Sequence, residues 1–127
     1  MCYTPRMPPS SPAVRVLLLA DSHIGFDHAL RPRVRRRRRG EDFVANLHRA
    51  LAPALERDVD LVVHGGDLLH RGDPPVAIVE MALEPLVAVA EAGVPVIVVP
   101  GNHERSRIPN VLLASHPSVH VCNAPTT

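Results

Sequence analysis

Three short clusters of metal-type side chains mark this 127-residue chain: Asp21-Ser22-His23, Gly65-Gly66-Asp67-Leu68-Leu69-His70 and Gly101-Asn102-His103-Glu104. Asp21 and His23 are two residues apart. On extended backbone both side chains leave the same face and offer one cation an oxygen and a nitrogen. Asp67 follows a glycine pair, which lets the backbone turn sharply and approach a neighbour closely. Its carboxylate has two oxygens and can bridge two cations. Asn102 presents a neutral amide oxygen, and His103 beside it can serve as a ligand or as a proton donor. A single Asp, Asn or His after a strand is usually a helix cap or turn residue. Three such clusters in succession are not what independent caps would supply, and together they indicate a divalent-metal site.

Each cluster directly follows an apolar run. The runs Val14 to Ala20, Leu61 to Val63 and Val94 to Val99 are rich in Val, Leu and Ile, and continuous hydrophobicity of this kind marks strands buried on both faces, as in a parallel sheet. Helical spacing fills the gaps. From Glu41 to about Arg57, Phe43, Leu47, Ala50, Leu51 and Ala54 share one face, and Glu41 and Asp42 lie where the helix dipole favours acids. From Val79 to Gly93, Val79, Leu83, Leu86, Val87 and Ala90 form the apolar face, with Glu80, Glu84 and Glu91 opposite. Pro53 and Pro85 are expected to kink or restart their helices. A fourth strand is expected over Val119 to Cys122. The sequence therefore predicts an α/β fold, a βαβαβ parallel sheet flanked by helices, whose ligands bind beyond the carboxyl ends of the strands. Residues 1–12, with four prolines and two serines, read as a flexible N-terminal tail, and 13–127 as a single domain.

Composition removes several classes. Three aromatic residues, Tyr3, Phe26 and Phe43, are too few for stacking platforms that bind single-stranded bases. Cys2 and Cys122 stand at opposite ends of the chain and make neither a disulfide framework nor a thiolate zinc site. No apolar run approaches the length of about 20 residues that spans a bilayer, and Arg15 and Asp21 interrupt the one stretch resembling a signal peptide. A cytoplasmic chain is expected. Its net charge of +1 conceals an asymmetry, because residues 31–39 hold seven of the fourteen basic residues and no acid, leaving −6 on the remainder. All the basic residues are arginines, whose guanidinium groups stay charged and fork onto phosphates. Arg31, Arg33, Arg35, Arg36, Arg37, Arg38 and Arg39 are thus candidates for sequence-independent, salt-sensitive nucleic-acid binding. The competing reading is a solvated loop or a general polyanion patch.

The assembled motifs, Asp21-Ser22-His23, Gly66-Asp67 and Gly101-Asn102-His103-Glu104, resemble those of the calcineurin-like metallophosphoesterase superfamily in order and loop position. The resemblance implies a two-metal phosphoesterase on a two-sheet αββα sandwich. It casts Asp21 and His23 as ligands of one metal, Asp67 as the bridge, Asn102 as a ligand of the second metal and His103 as the proton donor. Two cations about 3.5–4 Å apart activate a bridging water and neutralise the attacking and leaving oxygens of an in-line displacement. The mixed oxygen and imidazole set suits manganese, iron or zinc better than calcium, and the resemblance favours manganese. Asp67-Leu68-Leu69-His70-Arg71-Gly72 is most similar to the SbcD-type DNA-repair exonucleases, where a histidine three residues after the bridging aspartate assists the reacting phosphate. His70 takes that role by resemblance, which also implies an SMC-like ATPase partner and a homodimer.

The resemblance covers residues 14 to 123, the first half of the family's domain. Family members continue with a further metal-binding histidine and a Gly-His-x-His motif, and no Gly-His pair occurs here. The expectation is half of the sandwich, with the C-terminal metal-binding half absent, weak activity in isolation and an exposed apolar sheet face. Two alternatives stand beside the nuclease reading: a calcineurin-like phosphatase or cyclic-nucleotide phosphodiesterase, and an inactive half-domain binding module. His64, before the glycine pair, reads as a strand-end packing residue. His28 and His48 read as solvated, and His116 and His120 as structural.

Overall fold

A computed structural model of the chain describes residues 13–28, 39–101 and 116–122. Its elements are β1 (Val16–Leu19), α1 (Gly40–Leu55), β2 (Leu61–His64), α2 (Val76–Glu91), β3 (Val96–Val98) and β4 (Val119–Val121). The four strands form one parallel sheet in the order β1-β2-β3-β4. The expected α/β order is therefore present, and the N-terminal tail lies outside the described residues.

The strand order decides where the helices go. A strand-helix-strand crossover between parallel neighbours is almost always right-handed. Because β1, β2 and β3 step across the sheet in one direction, the same hand puts α1 and α2 on the same face. In register, Leu17, Val62, Val96 and Val119 form one row on that face, and Leu19, His64, Val98 and Val121 form the next. These rows pack with Leu47, Leu51 and Ala54 of α1 and with Val79, Leu83, Leu86 and Val89 of α2. Fully burying an aliphatic side chain of this size contributes about 1.5–3 kcal/mol.

The opposite face carries Val16, Leu18, Leu61, Val63 and Ile97, none of which belongs to that core. Leu18 is 70% exposed. The apolar runs led to an expectation of burial on both faces, yet among the described residues only one face is covered. This is the half-sandwich that the superfamily resemblance implies. No described helix is long and apolar enough to cross a membrane.

Both helices continue through their prolines, so neither restarts there. Pro53 falls in the last turn of α1, where any deflection of the axis affects only the two helical residues that follow. Pro85 sits in the middle of α2 but is itself buried, among seven other buried residues of that helix. A cost of about 3 kcal/mol for an internal proline is outweighed by burying Leu83, Leu86 and Val89 around it. Ala50, assigned to the apolar face of α1, is exposed instead. The helix begins without a side-chain cap at Arg39. Its start is held by Asp27, whose carbonyl accepts from the Gly40 amide at 3.2 Å and whose carboxylate accepts from the Arg39 amide at 3.0 Å.

Two leucines of opposite environment test this architecture. Leu86→Ala should destabilise the chain by about 2–5 kcal/mol, whereas Leu18→Ala should change stability by about 0.5 kcal/mol or less. Urea unfolding monitored by circular dichroism gives both values. An equal cost at the two positions would mean that the outer face is covered as well as the inner one.

Candidate metal centre

The turns after β1 and β2 are tied together beyond the strands themselves. Gly65 donates its amide to the Leu19 carbonyl at 2.7 Å, Asp21 to Gly66 at 2.9 Å, His23 to Asp67 at 2.9 Å and Ile24 to Leu68 at 2.9 Å. His70 then donates to the Ile24 carbonyl at 3.0 Å. Parallel pairing thus continues through both clusters and carries their side chains forward together.

The backbone at these turns is not extended, which replaces the simple same-face reasoning for Asp21 and His23. Asp21, His23 and Asp67 have φ of 57°, 45° and 53°, in the left-handed region that non-glycine residues seldom occupy. Each such residue costs about 1–3 kcal/mol and persists where the surroundings hold it. Here the inter-turn hydrogen bonds supply that hold. The result is convergence: one ligand atom from each of Asp21, His23 and Asp67 lies within 4.8 Å of the other two. His23 Nε2 stands 3.9 Å from Asp21 Oδ1. Asp21 opens to solvent with its side chain 73% exposed, while that of His23 is 25% exposed.

Glycine brings the third turn into the same place. Gly66 adopts φ +128°, and a Cβ there would lie 3.3 Å from the Gly101 Cα. A Cβ on Gly101 would run into the Asp67 carboxylate and amide. The two backbones therefore meet beside Asp67, one residue before Asn102. Asn102, His103 and Glu104 lie outside the described residues.

Two carboxylates and an imidazole at this separation suit a divalent cation of the manganese, iron or zinc type. His70 joins the cluster through its ring. His70 Nδ1 is 3.4 Å from His23 Nδ1, and the rings meet edge to face at 5.5 Å between centroids. With His23 Nε2 directed to Asp21, its Nδ1–H can donate to His70 Nδ1, which leaves His70 with Nε2–H as a donor of its own. Phe26 packs against His70 at 5.0 Å and against Phe43 of α1 at 5.3 Å, fixing the ring from behind.

Of the arginine run, Arg39 is the one member described. It is exposed, and its Nε lies 3.6 Å from Asp42 Oδ2 three residues along α1. Arg31, Arg33, Arg35, Arg36, Arg37 and Arg38 lie outside the described residues.

The sequence profile of the calcineurin-like phosphoesterase family matches residues 14–123. The chain belongs to the calcineurin-like phosphoesterase family. Among curated proteins it is similar to the DNA double-strand break repair protein Mre11 of Haloferax volcanii, with 37% identity over 93 residues, 73% of this chain and 20% of the relative. The Mre11 protein of Halobacterium salinarum is 31% identical over 73% of this chain and 23% of its own length. That of Archaeoglobus fulgidus is 33% identical over 69% of this chain and 19% of its own length. The chain spans about a fifth of the length of the relatives it matches.

In this member of the family the residue that sequence reasoning undervalued is His64. It ends β2, is fully buried, and bonds through both ring nitrogens, with Nδ1 3.4 Å from the Gly66 amide and Nε2 2.8 Å from Ser22 Oγ. Its neighbours in the row, Val98 and Leu19, are apolar, so in sequence it looks like one more packed residue. Burial holds its pKa down, from 6.5 to about 4, the desolvation outweighing the nearby Asp21 and Asp67 carboxylates. Of the remaining histidines, His48 and His120 are exposed. His116 has a turn role, its Nδ1 accepting from the Ser118 amide at 3.0 Å. His28 is partly buried against Gly40 rather than fully solvated.

The depressed His64 pKa sets a pH dependence of known sign. Between pH 6.5 and about 4 the unfolded chain binds a proton at His64 that the folded chain refuses, so stability falls as pH is lowered through this window. The full contribution is on the order of 3 kcal/mol. Comparing thermal unfolding of the wild type and His64→Gln from pH 7 to 4 should show a shallower fall in the variant. Parallel curves would contradict a depressed pKa at this position. Separately, Gly101→Ala should displace the Asp67 carboxylate and weaken Mn2+ binding, read by calorimetry, whereas Gly93→Ala, which meets no neighbour but strains a backbone at φ +97° and so lowers stability, should leave that binding unaltered.

Proposed function

We propose that this chain carries the first half of the two-metal centre of a DNA-repair nuclease that hydrolyses phosphodiester bonds. The supporting observation is the convergence of Asp21, His23 and Asp67 within 4.8 Å at the carboxyl edge of a parallel sheet, in a phosphoesterase whose relatives are named DNA double-strand break repair proteins.

Asp21 and His23 would hold the first metal, Asp67 would serve both, and Asn102 would hold the second. The further imidazoles of the centre come from the family's Gly-His-x-His half. When bound, the two ions, manganese by family resemblance, supply an activated water and stabilise charge on the phosphate. The protein does the remaining work. Asp21, the most exposed of the three donors, faces the solvent from which substrate arrives. His70, oriented by His23 and Phe26, offers Nε2–H to a phosphate oxygen. His103 gives a proton to the leaving oxygen. Arg31, Arg33 and Arg35 through Arg39 hold the DNA backbone by charge alone, so this part of the binding is independent of sequence and weakens with salt. By family resemblance the nuclease is a homodimer beside an SMC-like ATPase subunit and acts on DNA in the cytoplasm.

Hydrolysis of end-labelled duplex DNA and of a nucleotide monoester in Mn2+ is the test. DNA should be the better substrate. Asp67→Ala should abolish hydrolysis, and His103→Ala should slow it by about 10²–10⁴-fold, as for loss of a general acid. Neutralising Arg35 through Arg39 should slow DNA hydrolysis selectively. Full turnover in Asp67→Ala would remove the bridging role, and equal effects of the arginine change on both substrates would point to a small-molecule phosphoesterase.

A further inference from the structure

His64 is the one fully buried polar side chain among the described residues, and nothing in the proposed reaction uses it. An apolar residue could fill its place between Leu19 and Val98 without burying two polar ring atoms. Those two atoms bond to neither strand. One reaches Gly66, immediately before Asp67, and the other reaches Ser22, between Asp21 and His23. Because the Gly66 amide can only donate, Nδ1 must accept and the ring proton lies on Nε2. Nε2–H then donates to Ser22 Oγ. The imidazole is a rigid strut with one end on each of the two turns that bear the metal-type side chains.

Those turns need such support. Asp21, His23 and Asp67 all sit at positive φ, and Asp21 is largely exposed. Backbone hydrogen bonds join the turns along their length, but a ring wedged between them fixes their spacing against compression and shear. We propose that His64 is a positioning residue: in its neutral Nε2–H form it sets the separation of the Asp21–His23 turn from the Asp67 turn, and through it the affinity of the cluster for a divalent cation. Ser22 is its required partner. This rests on the metal-centre reading above.

Mn2+ affinity, measured by calorimetry, and apo thermal stability are compared in the wild type, His64→Leu, Ser22→Ala, the double variant and Asp67→Ala. His64→Leu should retain a cooperative thermal transition and lose about 10–100-fold in Mn2+ affinity, the scale on which outer hydrogen-bond partners of metal ligands act. Ser22→Ala should lose affinity too, and the double variant should be no worse than His64→Leu alone, because both changes break the same link. Long-range 15N correlation spectra should show Nε2 protonated and Nδ1 bare in the wild type, a readout that does not require any variant to fold. A bare Nε2, wild-type affinity in His64→Leu, or strictly additive losses would overturn the role of His64. If in that case the wild type binds Mn2+ and Asp67→Ala does not, the metal centre survives and only this inference fails. Absence of Mn2+ binding by the wild type overturns the metal-centre reading and this inference together.

Discussion

Parallel pairing of β1, β2 and β3 in simple sequential order is the constraint on which the molecule depends. It points every strand the same way, so the chain leaves all three at one edge of the sheet. It also fixes the side on which the crossover helices pack. The chemistry gathers at that edge because the topology leaves no other place for the residues that follow each strand. Asp21, Asp67 and Gly101 are far apart in sequence, yet each stands only two or three residues beyond the end of its strand. The same ordering leaves the outer apolar face open, so one topological choice produces both the metal-type cluster and the surface that a second layer would cover.

Within that edge, the ligand geometry is held by opposition between strain and support. Left-handed backbone at Asp21, His23 and Asp67 bends their side chains toward one point. It is stable only because the turns hydrogen-bond to each other, the Gly66 and Gly101 backbones abut, and His64 spans the gap. A turn relaxed to ordinary backbone angles would disperse the donors. The aromatic chain from Phe43 through Phe26 to His70 performs the matching task for the histidine pair.

Much of this was legible in the residues. Apolar runs of parallel-strand character, each ending in a Gly, Asp, Asn or His cluster, located the strands and put the candidate ligands at their tips. Apolar spacing in α1 and α2 gave the faces that pack. Other features were hidden for physical reasons. Positive φ at an aspartate or histidine leaves no trace in residue type, so convergence was expected by an extended-backbone route that the chain does not take. His64 sits in a row of apolar residues and reveals its role only when the turns on either side of it are seen. The outer sheet face has the same Val and Leu character as the inner one, and composition cannot say which face a helix covers. Pro53 and Pro85 looked like breaks because their cost is local, whereas the burial that overcomes it comes from the whole helix. Arg39, one of a run of arginines in sequence, stands near Asp42, a pairing visible only once α1 is in place.

In the proposed centre, two turns at one sheet edge, with the Gly101 backbone abutting them, bring Asp21, His23 and Asp67 to a common cation. The most direct test is a crystal of the chain soaked in Mn2+ and measured near the manganese absorption edge. An anomalous peak is expected within coordinating distance, about 2.0–2.2 Å as for comparable divalent ions, of the side chains of all three residues. Crystals that show manganese only elsewhere on the protein, or these three side chains turned away from one another with no peak between them, would contradict this arrangement.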